Sequence, residues 1–243
     1  MKTASFGFPS PFLSGLSAVF LCGATLLAPT GPAPTAPGAL GPGFTHPTDI
    51  TNPYLPLSAL KRDVLEGKES GKKVRVERTM KPGTREFEID GTKIAARIME
   101  DREFANGKLT EVTLDYFAQA DDGAVYYLGE DVNTYRNGKV VGHEGAWMTG
   151  EHNAKPGVLL PGRPRVGDKF QSEAVPGIAE ENDEVVTVDV SIRTPAGLFA
   201  HCVKVKEVVP GEAPEYKYYA PGVGVVREEP KDGRLDLISH NRR

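Results

Sequence analysis

The sequence predicts an all-β domain, an antiparallel meander rolled into a curved sheet or an open barrel. Three observations predict it. Apolar residues alternate with polar ones at period two, in stretches rich in β-branched and aromatic side chains. Asp-Gly and Asn-Gly pairs punctuate those stretches, at Asp90-Gly91, Asn106-Gly107, Asp122-Gly123, Asn137-Gly138 and Asp232-Gly233. No segment after residue 60 carries a convincing helical apolar period; at most one short helix near Leu57–Leu65 is expected.

The chain has 243 residues and a formal net charge of -4. Its charge is unevenly spread. Residues 1–60 hold only Lys2 and Asp49, while 10 of the 20 prolines lie in the first 56 residues. Lys2 followed by the apolar run from Phe12 to Ala28 reads as a secretory signal peptide over residues 1–28. The run is slightly short for a membrane anchor, and prolines flank it. Cys22 would be an acylation site if the leader were a lipoprotein signal, although Leu21 before it fits poorly. Membrane association is expected only if the leader is retained or Cys22 is acylated. Residues 29–43, rich in Pro and Gly, form an extended linker. The remainder, 44–243, is one β-domain, long enough to bury a core. The location expected is secreted or periplasmic. The acidic balance argues against nucleic acid as a partner. With the leader removed Cys202 is the only cysteine, expected as a small buried hydrophobe.

Within the domain, Val112, Leu114 and Tyr116 face one way, and Thr113 and Asp115 the other. Val186, Val188 and Val190 share a face; so do Phe199, Val203 and Val205, with His201 among them. A two-residue type I′ turn needs positive φ at both central positions, which Asn-Gly and Asp-Gly supply. The first four pairs are 16, 16 and 15 residues apart, so each intervening strand runs to about 12 residues, and strands that long must twist and coil. A sandwich with a break near Glu100-Asp101 is the alternative. Residues 155–184, with several Pro-Gly pairs and the acidic run Glu180 to Glu184, read as a loop-rich excursion.

Three stretches carry a resemblance: Asp115 to Asp131, Thr194-Pro195-Ala196-Gly197-Leu198-Phe199, and Lys217-Tyr218-Tyr219-Ala220-Pro221-Gly222-Val223-Gly224-Val225-Val226. Together they resemble exported bacterial β-rich proteins of unassigned function, loosely similar to the half-barrel of periplasmic lipoprotein carriers. That resemblance implies an apolar ligand, a lipid for instance, and no catalytic residues.

Chemistry-bearing motifs are sparse. His143-Glu144 and Glu151-His152 flank Trp147 and could meet across a hairpin, but the helical zincin spacing is absent. Asp121, Asp122, Glu130, Asp131, Glu173, Glu180, Glu181 and Asp183 read as solvated turns, since no EF-hand loop contains them. There is no Gly-x-Ser-x-Gly elbow, and Gly222-Val223-Gly224 is a turn. No cofactor and no metal are expected. Adjacent tyrosines such as Tyr126-Tyr127 send one ring to each face, so inner rings would line any cavity. The ligand-binding candidates are Trp147 at a cavity mouth, Tyr127 and His201. The function expected is a non-enzymatic exported domain that binds an apolar ligand or an envelope partner on a concave face. The alternatives are a hydrolase acting from residues 143–184 and a purely structural module.

Overall fold

The computed structural model describes residues 43–175 and 177–242. The signal peptide, Cys22 and all but the last residue of the linker lie outside the described residues.

The described chain is all-β, without helix. Its strands are β1 (Leu60–Glu69), β2 (Lys72–Ile89), β3 (Thr92–Ala105), β4 (Lys108–Gln119), β5 (Val125–Arg136), β6 (Lys139–Gly142), β7 (Trp147–Met148), β8 (Gly157–Leu160), β9 (Lys169–Val175), β10 (Ala179–Thr194), β11 (Gly197–Val208), β12 (Glu215–Ala220), β13 (Gly224–Glu229) and β14 (Gly233–Arg242). They form one antiparallel sheet in the order β6-β5-β4-β3-β2-β1-β14-β13-β12-β11-β10-β9. Two meanders, β1 to β6 and β9 to β14, are thus joined where β1 pairs with β14.

The turns explain the meander. Asp90-Gly91, Asn106-Gly107 and Asn137-Gly138 each have positive φ at both positions, as type I′ geometry requires. Ser70-Gly71 does the same between β1 and β2, where the sequence reading saw no signal. Asp122-Gly123 and Asp232-Gly233 also reverse the chain, but the two aspartates keep negative φ. Asp122 instead caps the turn by accepting the Ala124 N–H at 2.9 Å. The 18-residue β2 bends at a register shift between Met80 and Thr84, where Pro82-Gly83 interrupts the ladder.

Three expectations are corrected. The segment near Leu57–Leu65 enters β1 rather than a helix. Strand β3 runs unbroken through Glu100 and Asp101. The span 155–184 is mostly strand, because Glu180 to Glu184 alternate within β10. Glu181 and Asp183 are buried while Glu180 and Asn182 are exposed.

Strands β6, β7 and β8 are laid in turn along the same edge of β5. The sheet does not close into a barrel. Its two ends nevertheless approach: Lys155 forms an isolated bridge with Ala174 of β9. Gly157 of β8 lies so close to Ser172 of β9 that a Cβ there would overlap the Ser172 carbonyl.

Two apolar clusters result. The larger fills the concave side, with Leu65, Val76, Phe117, Tyr127, Val203, Val205 and Tyr219 among its members. The smaller lies on the convex side, where Tyr116, Ala118 and Leu128 meet Phe87, Ile89, Ile94 and Ala96 from the β2–β3 hairpin. The segment 43–59 spans both. Phe44 packs edge-on against Tyr126 at 5.3 Å, and Asp121 accepts from both N–H and Oγ of Thr45 at 2.8 Å. Ile50, Leu55 and Leu57 enter the large cluster.

The valine face of β10 is also shifted. Val188 and Val190 pack on the large cluster, but Val185 rather than Val186 joins them, because register irregularities between Val185 and Ile192 move the alternation by one.

Candidate functional site: a carboxylate-lined cavity

The concave face is not simply apolar. In β4, alternation directs Glu111, Thr113, Asp115 and Phe117 inward, and Leu114 and Tyr116 toward the convex cluster. The faces divide as the pattern requires, but the polar set is the inner one. Register sets Asp63, Arg78, Asp101 and Thr113 side by side across β1, β2, β3 and β4. The next rows bring in Glu103 opposite Glu111, and Asp115 opposite Glu130. From the other meander come Glu173 of β9, Glu181 and Asp183 of β10, Glu207 of β11, Lys217 of β12 and Glu228 of β13.

A cavity of ≈ 100 Å³ lies between the polar rows of the first meander and Lys217 and Glu228 of the second; Glu173, Glu181, Asp183 and Glu207 stand outside its lining. One part of its wall is apolar, from Leu55, Leu57, Leu60, Phe117, Leu159 and Val223. The other is charged, from Arg78, Asp101, Glu103, Glu111, Asp115, Glu130, Lys217 and Glu228.

Arg78 and Lys217 are the cations on that wall. Arg78 donates to both oxygens of Asp63, at 2.8 and 3.3 Å, and reaches Glu228 at 3.4 Å. Burial works against its charge, but Asp63, Glu228 and Asp101 outweigh that and raise its pKa further. Lys217 Nζ sits 3.0 Å from Glu207 Oε2; there too burial is outweighed, chiefly by Glu207 and Glu181. Glu103, Glu111, Asp115, Glu130 and Glu173 have too little positive charge beside them, so desolvation dominates. Burial, then Glu111 and Glu69, pushes Glu103 up to about 8. Burial pushes Glu111 to about 7. It raises Asp115 to about 6, even though the Tyr127 hydroxyl donates to Asp115 Oδ1 at 2.7 Å. Glu130 and Glu173 are raised well above the ordinary value, first by burial and then by a neighbouring charge, Glu173 for Glu130 and Glu181 for Glu173. They come from strands at opposite ends of the sheet, so the acidic lining runs around the interior. Each has one oxygen, Oε1, buried without a hydrogen-bond partner.

Of the sequence-predicted residues, Tyr127 lines the cavity and stacks on Phe117 at 5.0 Å. Trp147 does not sit at a mouth. It is 5% exposed, packs edge-on against Tyr127 at 5.3 Å and lies outside the cavity lining. His201 is also elsewhere. Its φ of 56° breaks the alternation of β11, so the ring turns to solvent and meets Asp189 at 2.8 Å. Cys202 takes the buried place, fully enclosed, and burial raises its thiol to about 11. His143 and His152 are exposed on turns.

The reading of Glu130, Glu173, Glu181 and Asp183 as solvated turns is overturned: all four are buried in strands. The signal that could have found them is alternation itself. Glu111, Thr113 and Asp115 share a parity with Phe117, and Glu181 and Asp183 share one with Val185.

The fold and site define an open, all-antiparallel β meander with an acidic, partly apolar interior. No family model matches the chain, and neither a curated protein nor a solved structure is similar to it.

Proposed function

We propose that this is a non-enzymatic exported binding domain, which takes a small amphiphile into its concave face. The ligand has an apolar body and a cationic amine. The observation that carries this reading is the buried, unpartnered Oε1 of Glu130 on the wall of a cavity also lined by leucines. An unmatched buried acceptor is costly, and a charge-assisted donor is the strongest way to satisfy it. A fatty acid would add another anion to a wall already short of positive charge. The lipid ligand expected from the sequence therefore narrows to a cationic one.

Calorimetric titration of the purified protein with hexylamine and with hexanoate tests this. Hexylamine should bind, hexanoate should bind at least about tenfold more weakly, and Glu130→Gln should reduce the amine affinity by about tenfold, one lost charge-assisted contact. Equal binding of acid and amine, or no binding of either, would overturn the reading.

A further inference from the structure

The charged wall of the cavity is compensated in its middle and left open at two outer positions. Along β4, Glu111 stands opposite Glu103 and Asp115 opposite Glu130, and all four line the cavity. The row between them sets Asp101 beside Arg78, which also reaches Asp63 and Glu228. No cation is among the charges that act most on the outer positions: Glu111 and Glu69 act on Glu103, Asp115 on Glu111, and Glu173 then Asp115 on Glu130. Acidic groups alone make no site. The second observation is Glu130, which is 2% exposed, lines the cavity and has an Oε1 without a hydrogen-bond partner. The Tyr127 hydroxyl beside it gives its one proton to Asp115 Oδ1, at 2.7 Å.

We propose that the cavity takes a linear α,ω-diamine, with one ammonium at Glu130, the other between Glu103 and Glu111, and an uncharged methylene chain between them. The proposal rests on the amine-binding function above and narrows its ligand class from a single cation to a long dication. The span follows from the ladder. Glu111 and Asp115 are four residues apart on one strand, about 13 Å at ~3.3 Å per residue, and Glu130 lies directly across from Asp115. Glutamate side chains leaning inward shorten the gap, so an octane chain bridges it and a propane chain does not. The leucine part of the wall, from Leu55, Leu57 and Leu60, suits the methylenes. A charge in mid-chain does not fit there: it would be desolvated against those leucines, in the row that Arg78 already occupies. Each terminal ammonium instead meets a carboxyl group that lacks a cation, and the contact is charge-assisted.

The test is calorimetric titration of the purified protein at neutral pH with 1,8-diaminooctane, octylamine, 1,3-diaminopropane, propylamine and spermidine. Diaminooctane should bind at least about tenfold more tightly than octylamine, the gain of one charge-assisted contact. Diaminopropane reaches only one end and should show no such gain over propylamine. Spermidine, which matches diaminooctane in length but carries an ammonium in mid-chain, should bind more weakly than diaminooctane. Glu103→Gln and Glu111→Gln should each pull the diaminooctane affinity toward that of octylamine and leave octylamine itself unchanged, whereas Glu130→Gln should weaken both. Octylamine binding as tightly as diaminooctane would overturn the proposal and leave the amine-binding function standing. Failure of every amine to bind would overturn both. A diamine gain that survives Glu103→Gln and Glu111→Gln would overturn the placement of the second ammonium, and spermidine binding as tightly as diaminooctane would overturn the uncharged chain.

Discussion

Arg78 and Asp63 are direct partners across the β1–β2 ladder and form a two-point contact, Nε to Oδ1 at 2.8 Å and Nη2 to Oδ2 at 3.3 Å. Both side chains are almost fully buried. Removing one partner of such a pair strands the other charge in a medium that solvates it poorly. Arg78→Met should therefore lower stability by about 3–5 kcal/mol, read from urea unfolding at neutral pH. Because Glu228 loses its guanidinium as well, a second substitution, Asp63→Asn, should recover only part of the loss. A stability unchanged by Arg78→Met would mean that the pair is not buried as described.

Acidity should stabilise this domain. The folded pKa values of Glu103, Glu111 and Asp115, about 8, 7 and 6, lie above the ordinary carboxylate values of 4.5 and 3.8. The folded state therefore binds more protons than the unfolded one between pH 4 and 8. Stability is fully present at the acidic end and is lost as pH rises through the folded values, at about 1.4 kcal/mol per unit of difference for a buried group. The melting temperature should be higher at pH 5 than at pH 8, and Glu103→Gln should flatten that slope. Glu77, Asp121 and His240, whose folded values are lowered, oppose the trend, while Arg78 and Lys217 stay charged throughout and add no slope. A melting temperature that climbs toward pH 8 would contradict the assignment.

Trp147 is a packing residue. Trp147→Phe should cost about 1–3 kcal/mol through its lost contact with Tyr127. The indole emission should already be blue-shifted in the free protein and stay constant when fatty acids are titrated in. A red-shifted, ligand-sensitive emission would place the ring at a mouth after all.

Gly157 is where the two ends of the sheet come nearest, against the Ser172 carbonyl. Gly157→Ala should force β8 and β9 apart and cost about 1–3 kcal/mol, the usual penalty of overpacking. The same change at Gly138, where a Cβ meets nothing within 4 Å, introduces conformational strain only. Thermal melts of the two variants separate the effects, and an unshifted Gly157→Ala would show that the ends stand apart.

The sequence made the strands of the first meander legible because their turns are chemically explicit: Asn137-Gly138 can hardly be anything but a reversal between strands. It did not make β7 and β8 legible. Strands of two and four residues hold too little alternation and are fixed by the edge of β5 beside them. Alternation also sorts residues into two faces without saying which face is inside. Thr113 and Asp115 look like the solvent side of β4, and become interior because the convex face has an apolar cover of its own. His201 shows the complementary failure. One residue at positive φ turns His201 out and brings Cys202 in, while Val203 and Val205 stay on the inner face with Phe199, and nothing in Ala200-His201-Cys202 announces it.

The ladder from Leu60–Arg242 to Glu69–Gly233 also governs how the molecule must assemble. Every other neighbouring pair along the path from β6 to β9 is close in sequence and can zip as a local hairpin. This one joins the first strand to the last and cannot form until the whole chain is present. The search that brings such distant segments together is slow, because closure entropy is lost before any contact compensates it. Two half-sheets with open edges at β1 and β14 should therefore accumulate before the final docking step, and those edges, not the finished surface, are where misassembly between chains would begin.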